Sequence, residues 1–367
     1  MAKRPAATAP NLARDPKPLA FGLLAAALLL LVGGLAISNA RPDDPPPPRP
    51  NPSRIQAAVF ADGRLWLLDG AGGLSTITER SRVRAPEPFE TKAVALCVQS
   101  GRLLVLDAGS SERWTLRRKE TAGWAKVADI GSRGDTFIGM ACDAAGVSLL
   151  TNRRMITLSN AAPRSVGLSD RINPGVTSSL LRVGDQVFVG ANLGEFGGGL
   201  QRIDQRTGKV SDLQRNDAVD PCEAVLDKQC DPVNGVTPAP WDSNCVIAAV
   251  GLVHMFTSGR LVEVCGDRIE PFYAKPIPQF GDKMGKEPFN HIAFFGANRA
   301  GDTLWVVGIN GLYQFRDRKL ANFAPLPAFR RVGGVRVSFD LPGVVLVKTD
   351  INQSVSLSGS VPMLVPR

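Results

Sequence analysis

Glu195 and His254 are the two side chains of this 367-residue sequence whose types best suit acid–base or metal chemistry, a carboxylate and an imidazole in neighbouring turns. The chain has only two histidines, so catalysis would rest on this one pair, and the composition favours a hydrogen-bonded structural pair instead. Phe196, between Glu195 and the run Gly197-Gly198-Gly199, is an aromatic candidate for contact with a ligand or partner. Residues 211–233 carry Asp212, Asp217, Asp220, Glu223, Asp227 and Asp231, of which Asp220 and Glu223 join the binding candidates. Their spacing lacks the alternating oxygens and closing glutamate of a calcium loop, so no metal site is expected. The glycine run lies between two strands and has no helix dipole to hold a phosphate; its role is a turn with positive φ.

Six cysteines lie beyond the first apolar run, which points to an oxidising compartment. Cys245 and Cys265 flank a hairpin whose midpoint is Met255 and so face one another, and Cys222 and Cys230 close a loop inside the acidic segment. Each bridge is worth about 2–4 kcal/mol, chiefly by restricting the unfolded chain. Cys97 and Cys142 end apolar strands and read as buried thiols. A zinc site on Cys222, Cys230, Cys245 and Cys265 lacks any C-x-x-C spacing.

The elements that must carry these residues are short strands. Apolar runs centred on Trp66, Leu104, Leu149, Phe188, Ile247, Trp305 and Val345 recur at 38 to 59 residues. Each follows another short apolar segment and precedes a glycine-rich turn, a third strand (GGLSTIT, GGGLQRID, NGLYQF, SVSLSG) and usually a fourth, such as residues 123–130 or 268–273. Four strands per repeat make a propeller blade, which predicts an all-β, seven-bladed β-propeller over residues 54–367, closed by strands near both termini. The stretches LWVVGINGLYQF (304–315) and VFVGANLGEFGGGLQRIDQRTGKV (187–210) resemble the propeller repeat of ligand-sensing two-component regulators, with its pattern LWvGT-x-GGLyr-D-x-TG. That resemblance implies the fold and a sensing or binding role. No kinase, transmitter or DNA-binding part follows the repeats in this sequence, so signalling through one is not expected.

Before the repeats, residues 1–18 form a basic leading segment and residues 19–38 a predicted transmembrane signal anchor. The uncharged run LAFGLLAAALLLLVGGLAI reaches about 28 Å as a helix, close to the hydrocarbon thickness. Lys3, Arg4, Arg14 and Lys17 precede it, which keeps the N-terminus cytoplasmic and sends the remainder outward. The alternative is a signal peptide cleaved after Ala40. Residues 39–53 are a proline-rich spacer, extended over roughly 40 Å. Formal net charge is +9, but beyond residue 54 only 36 Lys/Arg face 31 Asp/Glu, and they are interspersed, which excludes a nucleic-acid stripe.

In a propeller the turns between second and third strands share one face with the connections between blades. The turns at 191–198 and 251–258 and the connections at 211–233 and 274–288 then decorate one face of blades four and five. No nucleophile elbow, metalloprotease helix, P-loop or dinucleotide fingerprint is present, and no cofactor is expected. The innermost strands supply apolar or small residues (Ala95, Leu96, Met140, Ser178, Phe294), which counts against the central metal of propeller lactonases. The reading is therefore a single-pass protein of the inner membrane with a periplasmic propeller that binds or scaffolds an envelope protein or small ligand. Two alternatives stay open, a lactonase-like hydrolase and a sensor that serves a separate membrane kinase.

Overall fold

The computed structural model describes residues 55–78, 84–110, 112–159, 162–254, 256–277, 291–325, 334–338, 344–350 and 363–366; the side chains of Ser110, His254, Phe256 and all residues beyond 325 are not among them. The predicted span 19–38 lies outside the described residues, among which no helix is long and apolar enough to cross a membrane.

What shapes the fold is the second strand of each repeat. Leu65 to Leu68, Leu103 to Leu106 and Val246 to Val250 are each buried on both faces, at 2% exposure or less. Such runs need a cover on either side, and a lone sheet has none. The first sheet is β1 (Ile55–Ala61), β2 (Arg64–Asp69), β3 (Leu74–Thr78) and β4 (Ala85–Glu87). The second is β5 (Ala93–Gln99), β6 (Arg102–Ser110), β7 (Arg113–Glu120) and β8 (Gly123–Gly131), and the third β9 (Phe137–Asp143), β10 (Gly146–Thr151), β11 (Arg154–Leu158) and β12 (Arg164–Gly167). The fourth is β13 (Thr177–Val183), β14 (Gln186–Asn192), β15 (Gly198–Asp204) and β16 (Val210–Leu213), and the fifth β17 (Val233–Ala239), β18 (Asp242–His254), β19 (Phe256–Cys265) and β20 (Arg268–Tyr273). The sixth is β21 (Phe294–Ala300), β22 (Thr303–Gly308), β23 (Gly311–Arg316) and β24 (Lys319–Pro325); β25 (Gly334–Ser338), β26 (Val344–Asp350) and β27 (Met363–Pro366) make a last sheet of three strands.

Among the described residues the protein is thus a β-propeller with six four-stranded blades, where the sequence predicts seven. The three-stranded sheet packs its β25 beside β21 and β1. Its third strand is Met363–Pro366 rather than SVSLSG, which lies outside the described residues. A motif centred on the second strand cannot distinguish a three-stranded sheet from a four-stranded one. The last sheet meets the first blade by packing of β25 beside β1, while among the described residues β1 pairs within the first blade and β27 with β26.

Each of the six blades carries a register shift early in its first strand, leaving Gln56, Val94, Ile138, Ser178, Asn234 or Phe295 as the extra residue. β25 pairs with β26 without a shift. Bulges bend a strand and re-aim its side chains. The extra residue has no common type, so the sequence does not announce it. The hairpin turns are more legible: Asp62-Gly63 and Ser100-Gly101 both have positive φ, the backbone that a tight two-residue hairpin requires.

The core crosses the blade boundaries. Ala249 and Leu261 of the fifth blade cluster with Phe294, Tyr313 and Phe315 of the sixth, and Leu104 and Leu106 of the second with Leu149 and Ile156 of the third. Glu263, 2% exposed, accepts hydrogen bonds from Trp241 (2.6 Å) and from Arg318 of the next blade (2.8 Å).

Three disulfides add covalent ties. Cys245–Cys265 and Cys222–Cys230 join the expected partners, and Cys245 faces Cys265 directly in the β18–β19 register. Cys97 and Cys142 are not buried thiols but a third bridge, between the innermost strands of the second and third blades. Their Cα atoms are 5.8 Å apart, within the reach of a disulfide. Burial was the legible property of these residues; the lateral approach of β5 and β9 was not. Alkylation of the denatured, unreduced protein is expected to add no label, against two for a pair of buried thiols, and intact-mass measurement separates the outcomes.

Candidate functional site

The segment between β16 and β17 is anchored rather than looped out. Ala224 and Leu226 are buried, and Leu226 packs with Val233, Val250 and Val262. Arg215 and Leu226 form an isolated bridge across the segment. Asp220 accepts the backbone N–H of Cys222 at 2.9 Å and so caps the 3-10 turn Pro221–Glu223, which the Cys222–Cys230 disulfide ties to the following turn. The sequence marks Asp227 and Asp231 only as members of an acidic run, yet both are buried, at 4% and 2% exposure. Asp227 accepts from Asn216 Nδ2 (2.8 Å) and from the backbone of Gln229 (2.7 Å). Asp231 accepts from the backbone of Asp227 (2.8 Å) and from Arg260 on β19 (2.6 Å). Arg260 also donates to the carbonyls of Ala224 (2.6 Å) and Val225 (2.8 Å), so one guanidinium fastens the segment to the fifth blade.

The glycine run meets this segment at close range. Gly197, Gly198 and Gly199 have φ of 80°, 140° and 83°. Gly198 N–H donates to Lys228 O (2.8 Å) and Gly199 N–H to Asp231 O (2.7 Å). A Cβ on Gly197 would overlap the Lys228 carbonyl, and one on Gly199 would press on the Lys228 side chain. Positive φ, the expected role, is therefore joined by a second requirement, room for the neighbouring backbone. Asn192 and Asn234, which sequence reasoning missed, extend the connection: Asn192 donates to Asn234 (2.5 Å), and Asn234 to Gly251 O (2.7 Å) and Phe294 O (2.9 Å). Asn234 does so from the bulge of β17, a position only register reveals.

The 3-10 turn Gly194–Phe196 carries Glu195 and Phe196 and lies against β18. The expected turn at 251–258 is instead the paired end of a long hairpin, with Val253 opposite Thr257 and His254 opposite Phe256. The side chain of His254 lies outside the described residues, and with it the Glu195–His254 pair. Phe196 is 72% exposed and Val219 fully exposed; Leu193 and Val253 are each about half exposed. These are four of the six large apolar residues exposed among the described ones: Leu193 and Phe196 in the β14–β15 turn, Val219 in the inter-blade segment and Val253 at the end of the β18–β19 hairpin. Glu195, Asp217, Asp220 and Glu223 are exposed around them.

The groups that offer metal-ligand types, Asp220 with Cys222 and Cys230 and Asp242 with Cys245 and Cys265, rely on sulfurs already spent in disulfides. A thiolate is the metal ligand, so neither group fits an ion. A cavity of about 290 Å³ lies among the innermost strands, lined by Phe60, Leu96, Met140 and Leu180 with the Cys97–Cys142 bridge in its wall. Its lining runs from the middle of those strands towards their C-terminal ends, the side away from the decorated face.

Burial pushes the Asp231 carboxyl up to about 6, against the pull of Arg260 and of the Asp227 N–H. A carboxyl raised above its ordinary 3.8 binds its proton more tightly when folded, so its stabilising share is complete below about pH 4 and lost as pH rises to about 6. The swing is about 3 kcal/mol. In thermal melts across this range, wild type is expected to lose stability relative to Asp231→Asn as pH rises from 4 to 6. Arg260→Met, which strands the carboxylate, is expected to cost about 3–5 kcal/mol at neutral pH and less near pH 5.

No family model and no curated protein matches the sequence. Solved structures similar to the chain include the extracellular domain of a hybrid two component system from B. thetaiotaomicron, at 14% identity and TM-score 0.46 over 82% of this chain and 38% of that one. The chain thus spans little more than a third of that structure's length. BamB from Moraxella catarrhalis is similar at 14% identity and TM-score 0.41, covering 80% of this chain and 82% of that one. The Cps50 (Swd1) β-propeller domain of Myceliophteria thermophila is similar at 9% identity and TM-score 0.50, covering 86% and 97%. At these identities what the chain shares with solved structures is the β-propeller fold.

Proposed function

We propose that this protein is a membrane-tethered, extracytoplasmic binding propeller that presents the decorated face of blades four and five to a protein partner. The observation that carries the reading is the exposure of Leu193, Phe196, Val219 and Val253 together on segments that are otherwise tightly braced. A merely tolerated insertion needs no buried Asp231–Arg260 pair, no disulfide and no backbone pairing to the next turn. Bracing lowers the ordering cost of association, and exposed apolar side chains grouped on one face are a recurring mark of interaction sites. Three disulfides support an oxidising location, and the uncharged run at 19–37 supports the tether. Binding is favoured over catalysis because the buried carboxylates and sulfurs of the site are engaged in holding the loops.

A photo-crosslinking amino acid placed at Phe196 or Val219 is expected to yield a discrete adduct in membranes of the native host. The same probe at Leu320, exposed on the outer strand of the sixth blade, is the control and is expected to yield none. Adducts of equal intensity from all three positions, or from none, would count against the assignment of this face.

A further inference from the structure

We infer that the segment docking on this face is cationic, a stretch of polypeptide in which lysines or arginines flank a bulky apolar residue. The inference rests on the reading of blades four and five as the interaction face and adds the chemistry of the occupant. It follows from how the charges around the apolar group are used.

The two bases of the segment between β16 and β17, Arg215 and Lys228, are already engaged. Lys228 donates to Asp212 at 2.7 Å, which raises the lysine and lowers the carboxyl from their ordinary values and keeps both charged at neutral pH. Arg215 is shared between Asp217 and Glu270, at 2.9 Å from each. Arg260 is consumed by the buried Asp231. Among the described residues the acids still exceed the bases: Asp220 and Glu223 are also exposed, and Asp170, beside the exposed Arg171 on the connection from the third blade, lies near enough to Lys228 to raise it further. A chain with formal charge +9 thus carries, among the described residues, more acids than bases at the place where Phe196 and Val219 stand out.

Phe196 and Val219 supply the apolar contact that excludes water, and the carboxylates around them favour positive charge at the rim. An anionic occupant would set its charges against Asp220, Glu223 and Glu195. Such juxtaposition is costly, so the sector selects against acidic partners as well as for basic ones. Because Asp220 caps the Pro221–Glu223 turn and the Cys222–Cys230 bridge closes it, these carboxylates are held in place rather than free to fold away.

The test uses the full chain in detergent as bait for a display library of random short peptides, with the Phe196→Ala protein as counter-selection. Expected is a pool enriched in Lys or Arg around an aromatic or aliphatic residue. Binding of its peptides should fall about fivefold or more in Glu223→Gln/Asp220→Asn, and steeply between about 0.01 M and 1 M salt, over which the screening length drops from about 30 Å to about 3 Å. The Phe196→Ala protein should bind at least tenfold more weakly, with unchanged melting temperature. A pool of acidic or neutral peptides, no enrichment, or binding indifferent to the two charge substitutions overturns the cationic occupant. Binding indifferent to Phe196→Ala, or a dimer of the chain that Phe196→Ala abolishes, overturns it as well. The crosslink from Phe196 is read separately. If it persists while the peptides fail, the face stands and only the cationic partner falls; if both fail, the two readings fall together.

Discussion

The second strand of each blade is apolar on both sides, and a single sheet can cover neither. Leu103 to Leu106 and Val246 to Val250 reach near-complete burial because a neighbouring blade lies on each flank. Fully burying one such side chain contributes about 1.5–3 kcal/mol, so the interfaces between blades carry much of the stability of every blade. The inter-blade Glu263–Arg318 contact and the Cys97–Cys142 bridge then act on surfaces that are already packed.

That dependence frees the blade ends. Turns and connections contribute little to the inter-blade core, so they can differ among blades without loss of fold. Blades four and five use this freedom most heavily. Their loops are made rigid by a separate small core, in which Arg260 is the hub: it reaches from a strand of the scaffold into the segment between blades and satisfies two carbonyls and a carboxylate at once. The Gly197–Gly199 turn closes on the same segment, so one scaffold arginine orders two loops. The raised Asp231 carboxyl is the cost of drawing an ion pair out of water.

The contrast between the inside and the outside of this sector gives it character. Within, the side chains of Asp227, Asp231, Arg260, Asn192 and Asn234 are matched to partners at 2.5 to 2.9 Å, as in the Asn192–Asn234 link that runs on to the sixth blade. Outside, Phe196 and Val219 are left to solvent among carboxylates. Polar groups satisfied internally add order, while the unsatisfied apolar surface is available for association.

The class of fold was legible in the sequence, since fully buried strands leave uninterrupted apolar runs and their recurrence marks a repeat, although the count of seven exceeded the six blades observed. The Cys245–Cys265 and Cys222–Cys230 pairs, which depend on local chain reversal, were legible there as well. Tertiary structure decided what depends on neighbours far apart in sequence. The strand count of the last sheet follows from which residues pair with β26, and the Cys97–Cys142 bridge from how closely β5 and β9 approach. The extra residue in each first strand is defined by register and not by residue type. The division of one acidic run into buried braces, Asp227 and Asp231, and exposed rim, Asp220 and Glu223, was set by Arg260, whose position opposite them no local pattern encodes.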